Sequence, residues 1–527
     1  MGKINRRASA VRSIQKYWGL IAIAALCLIG VTLILYFTRS GPGMSGDSVW
    51  FVMGADNMLA GNGYSMTAGG GEIIMPITGF PPFFSVVLAG LGSLGFDFAE
   101  GSRWLNALMF GVSAFLTWRL IHDYTGSKWV SLAGAVLFLG SSTLLKYHSW
   151  VMSEGLYILL QLTVFYLLIA YIKSKKQSLW VLAAVLTGVG ILTKYIGFSL
   201  LFSGALTLLL FSQKDWKTRI MNSLLYIFIA SLPVVAWFIR NATLRGNLTN
   251  RTFTYHPMRL DLLVIYKQEI GNWFLLHRLI DWGGRFIIAV LLAVSGPIYF
   301  VFAQLKEWRS KQPVFRNQAG ALPWMLIFYT LAFLMILVLN SLFLDAATTP
   351  SAPERYLAPL YVTSIILILI TTYDLVAHSR IKTVLAPALA VVLISITFLH
   401  VRNSFDLYKN NGVDLGYQSI KVQNPSLVAG LRDISQDRLL YSDNIERVYF
   451  FAGRPAHFFP VEYSRYTQQS NPNYFEQIAQ IRAGLQAGGR LIIFGEIEED
   501  REGILDLLDL VILDSLPGAT VYGYRDN

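Results

Sequence analysis

Apolar runs recur along the first three-quarters of the chain, at 20–36, 105–121, 130–145, 155–172, 179–192, 197–211, 220–239, 286–302, 322–339, 356–372 and 384–399. A helix needs roughly 17–25 apolar residues to cross a hydrocarbon core, and most of the runs approach that length. The pattern predicts a polytopic α-helical membrane protein with about eleven transmembrane helices. Runs 179–192 and 197–211 are short and meet at Thr193-Lys194-Tyr195, which reads as a helical hairpin with a polar tip. The first run exceeds the roughly 7–15-residue core of a signal peptide, and no small-x-small cleavage site follows it. It reads as a retained helix.

Weaker periodicities fill the long connections. Residues 48–59 alternate apolar and polar side chains at roughly helical spacing, and 82–94 are apolar but short and broken by glycine. Both read as helices lying in the membrane interface. From residue 403 hydrophobicity falls and charge rises. There, 438–442 and 490–494 read as buried strands, and 445–452, 474–487 and 502–510 as helices. Two units follow: a membrane-embedded domain over 1–402 and a small soluble α/β domain over 403–527. The second has no glycine-rich phosphate loop and no obvious catalytic cluster. Its expected role is structural or acceptor-binding.

Composition agrees with a bilayer setting. Hydrophobic residues make up 54% of the 527 residues, charged ones 14%, and mean hydropathy is +0.49. A soluble chain of this size carries about 25% charged residues. The net charge of +11 does not gather on one face or tail as in a nucleic-acid binder, so no nucleic-acid partner is expected. The cations lie between runs, in every second connection. They include Lys3, Arg6, Arg7, Arg12 and Lys16 at the start, then Arg119 with Lys128, Lys173 with Lys175 and Lys176, and Lys214 with Lys217 and Arg219. Lys306, Arg309, Lys311, Arg316, Arg380 and Lys382 continue the series. The positive-inside rule assigns these to the cytoplasm, so the N-terminus is expected inside and the C-terminal domain outside. One cysteine, Cys27, excludes an intrachain disulfide framework.

Polar chemistry concentrates on the outward side. The segment 38–104 carries Gly46-Asp47-Ser48, Ala55-Asp56-Asn57, Gly61-Asn62-Gly63-Tyr64, Gly69-Gly70-Gly71-Glu72 and Phe80-Pro81-Pro82-Phe83. The segment 240–285 is rich in arginine and aromatics, including Arg240, Arg245, Arg251, His256 and Trp273. Outward arginines break the charge rule. They read either as a solvated loop near lipid headgroups or as an anion site, since the guanidinium fork matches phosphate.

The Asp47 stretch, with Gly61-x-Gly63-Tyr64 and Pro81-Pro82 after it, resembles the GT-C superfamily of membrane glycosyltransferases. The similar branch contains protein O-mannosyltransferases and the lipid A aminoarabinose transferase. Ser153-Glu154, Thr193-Lys194-Tyr195 and Glu354-Arg355-Tyr356 extend the resemblance, which covers roughly 20–399. It implies a polyprenyl-phosphate sugar donor and an acceptor hydroxyl on the outer face, the acceptor being unspecified. Many relatives carry an Asp-Glu pair after the first helix. Here Ser48 follows Asp47, so either Asp47 works alone or Asp56 or Glu72 supplies the second acid.

With the resemblance, Asp47 is expected to be the general base that takes the acceptor's proton. The residues alone also allow a helix N-cap. Lys194, Arg240 and Arg355 are the expected donor-phosphate contacts. A lysine between two apolar runs must either snorkel or find an anion. Tyr64, Glu72, His148, Glu154 and Tyr195 are the expected substrate contacts, although aromatics also gather at membrane interfaces without binding anything. His148 and Glu154 are too few for a metal site, which normally takes three or four ligands. No cofactor is expected, and a divalent metal is not favoured. The competing class is a transporter or flippase. It would show repeats and broken helices at the midplane, whereas the charges here lie near the ends of the runs.

Overall fold

The computed structural model describes residues 2–69, 73–212, 215–246, 248, 253–255, 257, 260–273, 282–309, 320–344, 353–377, 382–410, 415–464, 469–495, 505 and 508–525. Every apolar run falls on helix. In chain order come α1 (Gly2–Phe37), α2 (Gly46–Leu59), the hairpin β1 (Ser65–Ala68) and β2 (Ile73–Pro76), α3 (Phe83–Ser93) and α4 (Phe98–Thr125). Next are α5 (Lys128–Gly140), α6 (Ser142–His148), α7 (Ser153–Ser174), α8 (Gln177–Thr193), α9 (Phe198–Phe211) and α10 (Trp216–Arg245). The helical part ends with α11 (Leu260–Asn272), α12 (Trp282–Arg309), α13 (Ala321–Phe343), α14 (Pro353–Ala377) and α15 (Lys382–Asn410).

Six helices among the described residues are long and apolar enough to cross a membrane: Tyr17–Phe37, Phe98–Thr125, Ser153–Ser174, Trp216–Leu244, Ala321–Phe343 and Pro353–Ala377. The single helix expected over 130–145 is instead two. α5 and α6 meet at 60° because Ser141 leaves the helical conformation and its hydroxyl accepts from the Leu144 amide, capping α6. Counted as one bent span, the pair makes a seventh. α8 and α9 are shorter apolar helices around the Lys194 break. Large side chains fill the spaces between helices, among them the buried Phe110, Phe138, Tyr157, Phe165, Tyr329 and Phe333.

α15 runs on to Asn410, through the boundary expected at 403. The remainder folds as α16 (Tyr417–Gln423), α17 (Pro425–Asp433), β3 (Leu440–Ser442), α18 (Ile445–Ala452), β4 (His457–Phe458), β5 (Tyr463–Ser464), β6 (Gln469–Ser470), α19 (Tyr474–Gln486), β7 (Arg490–Phe494), β8 (Leu510–Leu516) and β9 (Ala519–Tyr524). Its main sheet has the order β4-β3-β7-β9-β8, parallel on one side of β7 and antiparallel on the other. Most of the helix expected over 502–510 lies outside the described residues. Its end is corrected, since Leu510 opens β8 and pairs with Tyr524.

This domain shares a core with the segment after the first helix. Val49, Phe51 and Phe84 pack in one buried cluster with Leu431, Val448 and Phe451. The backbones are also stitched together. The Met44 amide donates to Leu415 O at 3.0 Å, and the Tyr417 amide to Met44 O at 2.9 Å. Gly416 makes this approach possible: its φ is +58°, and a Cβ there would lie 2.3 Å from Met44 O.

Candidate active site

Four side chains from distant parts of the sequence meet where α2, α7 and α14 begin and where α8 breaks. Ser45 caps α2: its hydroxyl accepts from the Ser48 amide, and the Ser48 hydroxyl accepts from the Ser45 amide. Asp47 is therefore in the first turn, not the cap, and its carboxylate is free to point elsewhere. Glu154 occupies the first turn of α7. Arg355 stands two residues past Pro353, in the first turn of α14. Lys194 closes α8 in an extended conformation, after which one 3-10 turn leads into α9.

Arg355 joins the two acids. Its Nη1 lies 2.5 Å from Asp47 Oδ2, and its Nε donates to Glu154 Oε1. Lys194 Nζ donates to the same Glu154 oxygen at 2.5 Å. The quartet is balanced, two cations against two anions, as a dry site requires: an unpaired charge away from water is costly. It is also graded in depth. The Glu154 side chain is fully buried, while Asp47 keeps 33% of its exposure. Asp47 is thus the member that a ligand from outside meets.

Around this quartet, Glu354 accepts from Lys146 Nζ at 3.2 Å and from the Tyr147 hydroxyl at 2.9 Å. On α11, burial and then the charge of Glu354 push the Glu269 carboxyl up to about 7. The Lys194 ammonium sits 5.7 Å from the centre of the Tyr356 ring.

A second group lies beside the hairpin tip. Arg240 donates to Ile77 O at 2.8 Å, to Tyr64 O at 2.7 Å and to Asn241 Oδ1 at 3.0 Å. Its guanidinium lies 4.8 Å from the Trp237 ring centre. Trp237 Nε1 donates to the Tyr195 hydroxyl at 2.9 Å.

Residues 80–237 match the model of a family described as dolichyl-phosphate-mannose-protein mannosyltransferase. Among proteins of curated function, none matches the chain by sequence. Among solved structures, ArnT from Cupriavidus metallidurans bound to undecaprenyl phosphate aligns with a TM-score of 0.61, at 12% identity, over 96% of this chain and 98% of that one. The archaeal oligosaccharyltransferase AglB from Archaeoglobus fulgidus, in complex with an inhibitory peptide and a dolichol-phosphate, aligns at 0.57 and 10% identity, over 98% and 75%. The chain has the GT-C fold.

Within that GT-C fold, the structure brings together Asp47, Glu154, Lys194 and Arg355. Arg240, Tyr64 and Tyr195 form the second group instead, where Arg240 fastens the β1–β2 hairpin to α10 by its carbonyls. The hairpin itself, announced only by its glycine-rich turn, is absent from the sequence reading. Glu72 lies outside the described residues. His148 is fully buried among Phe110 and Phe138, its Nδ1 2.8 Å from Leu144 O. Among the described residues no three His, Cys, Asp or Glu side chains gather as metal ligands. Asp56 faces the C-terminal domain and accepts from the Tyr449 hydroxyl at 2.7 Å; burial pushes its carboxyl up. Sequence reading missed Lys146, which carries no motif, and Glu446 on α18, which receives the Trp50 indole N–H at 2.7 Å.

Proposed function

We propose that this chain is a glycosyltransferase that moves a sugar from a polyprenyl phosphate to an acceptor hydroxyl on the extracytoplasmic face, inverting the anomeric carbon. The observation that carries the reading is Arg355 spanning Asp47 and Glu154 beside Lys194. Such an arrangement sets a carboxylate next to two fixed cations in a site largely closed to water.

In the proposed step, the acceptor oxygen attacks the anomeric carbon and forms the new glycosidic bond. The bond from that carbon to the phosphate oxygen breaks, and its electron pair leaves with the polyprenyl phosphate. Asp47 takes the acceptor's proton. Lys194 and Arg355 meet the phosphate charge that grows on the leaving group, and Glu154 keeps both cations in place beforehand. The solved GT-C relatives hold undecaprenyl phosphate and dolichol-phosphate, which supports a lipid phosphate as the leaving group here. The basic loops of the sequence support an N-terminus in the cytoplasm and the quartet on the opposite side.

A direct test incubates the purified protein with a panel of polyprenyl-phosphate sugars. Release of free polyprenyl phosphate from at least one of them is expected. A protein that carries such lipids across vesicle membranes without cleaving any would be a flippase, and the proposal would fall.

A further inference from the structure

Glu154 and Arg355 stand in the first turns of α7 and α14, two helices long enough to cross the membrane, and these helices are joined a second time further along. Gln161, two turns past Glu154 on α7, is fully buried and reaches across to α14. Its Nε2 donates to Pro359 O at 3.1 Å and to the Thr363 hydroxyl at 2.8 Å. That hydroxyl, also fully buried, donates in turn to Pro359 O at 3.0 Å. The orientation of the amide follows from chemistry: a carbonyl oxygen only accepts, so the NH2 group must face it. Gln161 Oε1 is then left without a hydrogen-bond partner among the described residues. A half-satisfied amide buried in an apolar setting is costly, and a leucine would fill the same place without that cost. Packing alone does not account for a glutamine here.

What the amide grips is the weak point of α14. Pro359 lies inside the helix and has no N–H, so the Arg355 carbonyl lacks the donor that a helix supplies four residues on. The turn that carries Arg355 is thus held to the rest of α14 by one hydrogen bond fewer, at a point about 6 Å further along the axis. Gln161 fixes that point to α7, the helix that carries Glu154. The outer join between the two helices is the Arg355–Glu154 ion pair itself. A phosphate must loosen that join, because Arg355 has to turn donors away from Glu154 and Asp47 toward the new anion. The inner join is untouched by the exchange. We infer that Gln161 is a positioning residue for the transfer: it fixes the turn of α14 at Pro359, and with it the aim of the Arg355 guanidinium at the leaving phosphate. The inference rests on the glycosyltransferase reading above, with Arg355 as a phosphate contact, and adds to it a residue buried two turns away from the charges.

The test measures binding of undecaprenyl phosphate to the full-length protein in detergent, with Gln161→Leu made alone and in two other backgrounds. Gln161→Met, closer in length to glutamine, guards against a packing defect. Alone, Gln161→Leu should weaken binding about fivefold, as expected between coupled residues. Arg355→Lys keeps the charge, so binding stays measurable, but it loses the planar fork that has to be aimed. In that background Gln161→Leu should change nothing. In Lys194→Ala, whose missing cation comes from α8, the fivefold loss should persist in full, about as in the parent. A merely structural role weakens binding equally in all three backgrounds, and that result overturns the inference, as does parent-like binding by both Gln161 variants. Failure of both to fold assigns Gln161 to the fold alone and overturns it too. Each of these leaves the glycosyltransferase reading intact. An unmodified protein that neither binds the lipid phosphate nor cleaves any polyprenyl-phosphate sugar removes both.

Discussion

Replacing Asp47 by asparagine separates chemistry from architecture, because the structure bounds what the change costs the fold. The helix cap is the Ser45–Ser48 pair, which the substitution leaves untouched. A first-turn carboxylate contributes roughly 0.3–1 kcal/mol through the helix dipole. The ion pair to Arg355 involves a carboxylate one-third exposed, and solvent-screened pairs are worth about 0–1 kcal/mol. The total, at most about 2 kcal/mol, is partly recovered because the asparagine oxygen still accepts from Arg355. Loss of a proton acceptor, by contrast, typically lowers a rate by about 10²–10⁴, or about 2.7–5.4 kcal/mol of barrier. The expected outcome is a variant that elutes from size-exclusion chromatography like the parent and transfers sugar at least a hundredfold more slowly. Asp56→Asn is the control. Its partner is the Tyr449 hydroxyl, and an amide oxygen accepts that bond without a buried charge, so most activity should remain. Transfer by Asp47→Asn within a few-fold of the parent would refute the base assignment.

Lys194→Ala and Arg355→Gln should each raise the donor KM and slow turnover, read from initial rates at varied donor concentration; a donor dependence like the parent's in both would remove them from the phosphate site. Glu154→Ala leaves two buried cations short of a partner and should destabilise the protein by about 3–5 kcal/mol, as other broken buried pairs do, seen as a lower unfolding temperature in detergent. Glu269 binds its proton more tightly folded than unfolded, so its contribution to stability is full below the ordinary carboxylate range and is lost as pH rises to about 7; Glu269→Gln should flatten the stability profile across that window. Reporter fusions after Lys176 and after Asn403 should report opposite sides of the membrane, and equal readings would overturn the orientation.

The hydrophobic runs were legible because a bilayer imposes one requirement, length of apolar helix, and each run meets or approaches it locally. The Ser141 break was hidden inside 130–145, where flanking apolar residues outweigh a single capping serine. The strands β8 and β9 were lost because β8 is exposed over Leu513 to Ser515, so its alternation is weak and only Pro517-Gly518 marks the turn. At the site, types were readable and partners were not. Glu154, Lys194 and Arg355 each stood out as a charge at the edge of an apolar run, and Asp47 through the resemblance of the stretch around it. Yet Arg355 lies 308 residues from Asp47, and no spacing rule spans that gap. Arg240 stood out for the same reason as Arg355, and only its carbonyl partners separate the two. Glu446 sits on an ordinary amphipathic helix, where nothing local sets it apart.

The stitching of Met44 to Leu415 and Tyr417 has a consequence for how the protein comes into being. A ribosome delivers Asp47 early, Arg355 late and Glu446 later still. The segment after α1 waits for α14 to bring the guanidinium that pairs with its acid, and for the still later C-terminal domain to bring the surface that covers its apolar side. A chain that stops before α14 therefore carries most of its membrane helices without the Arg355 that joins the two acids. The quartet and the surface that covers it are therefore assembled only when most of the polypeptide has been made.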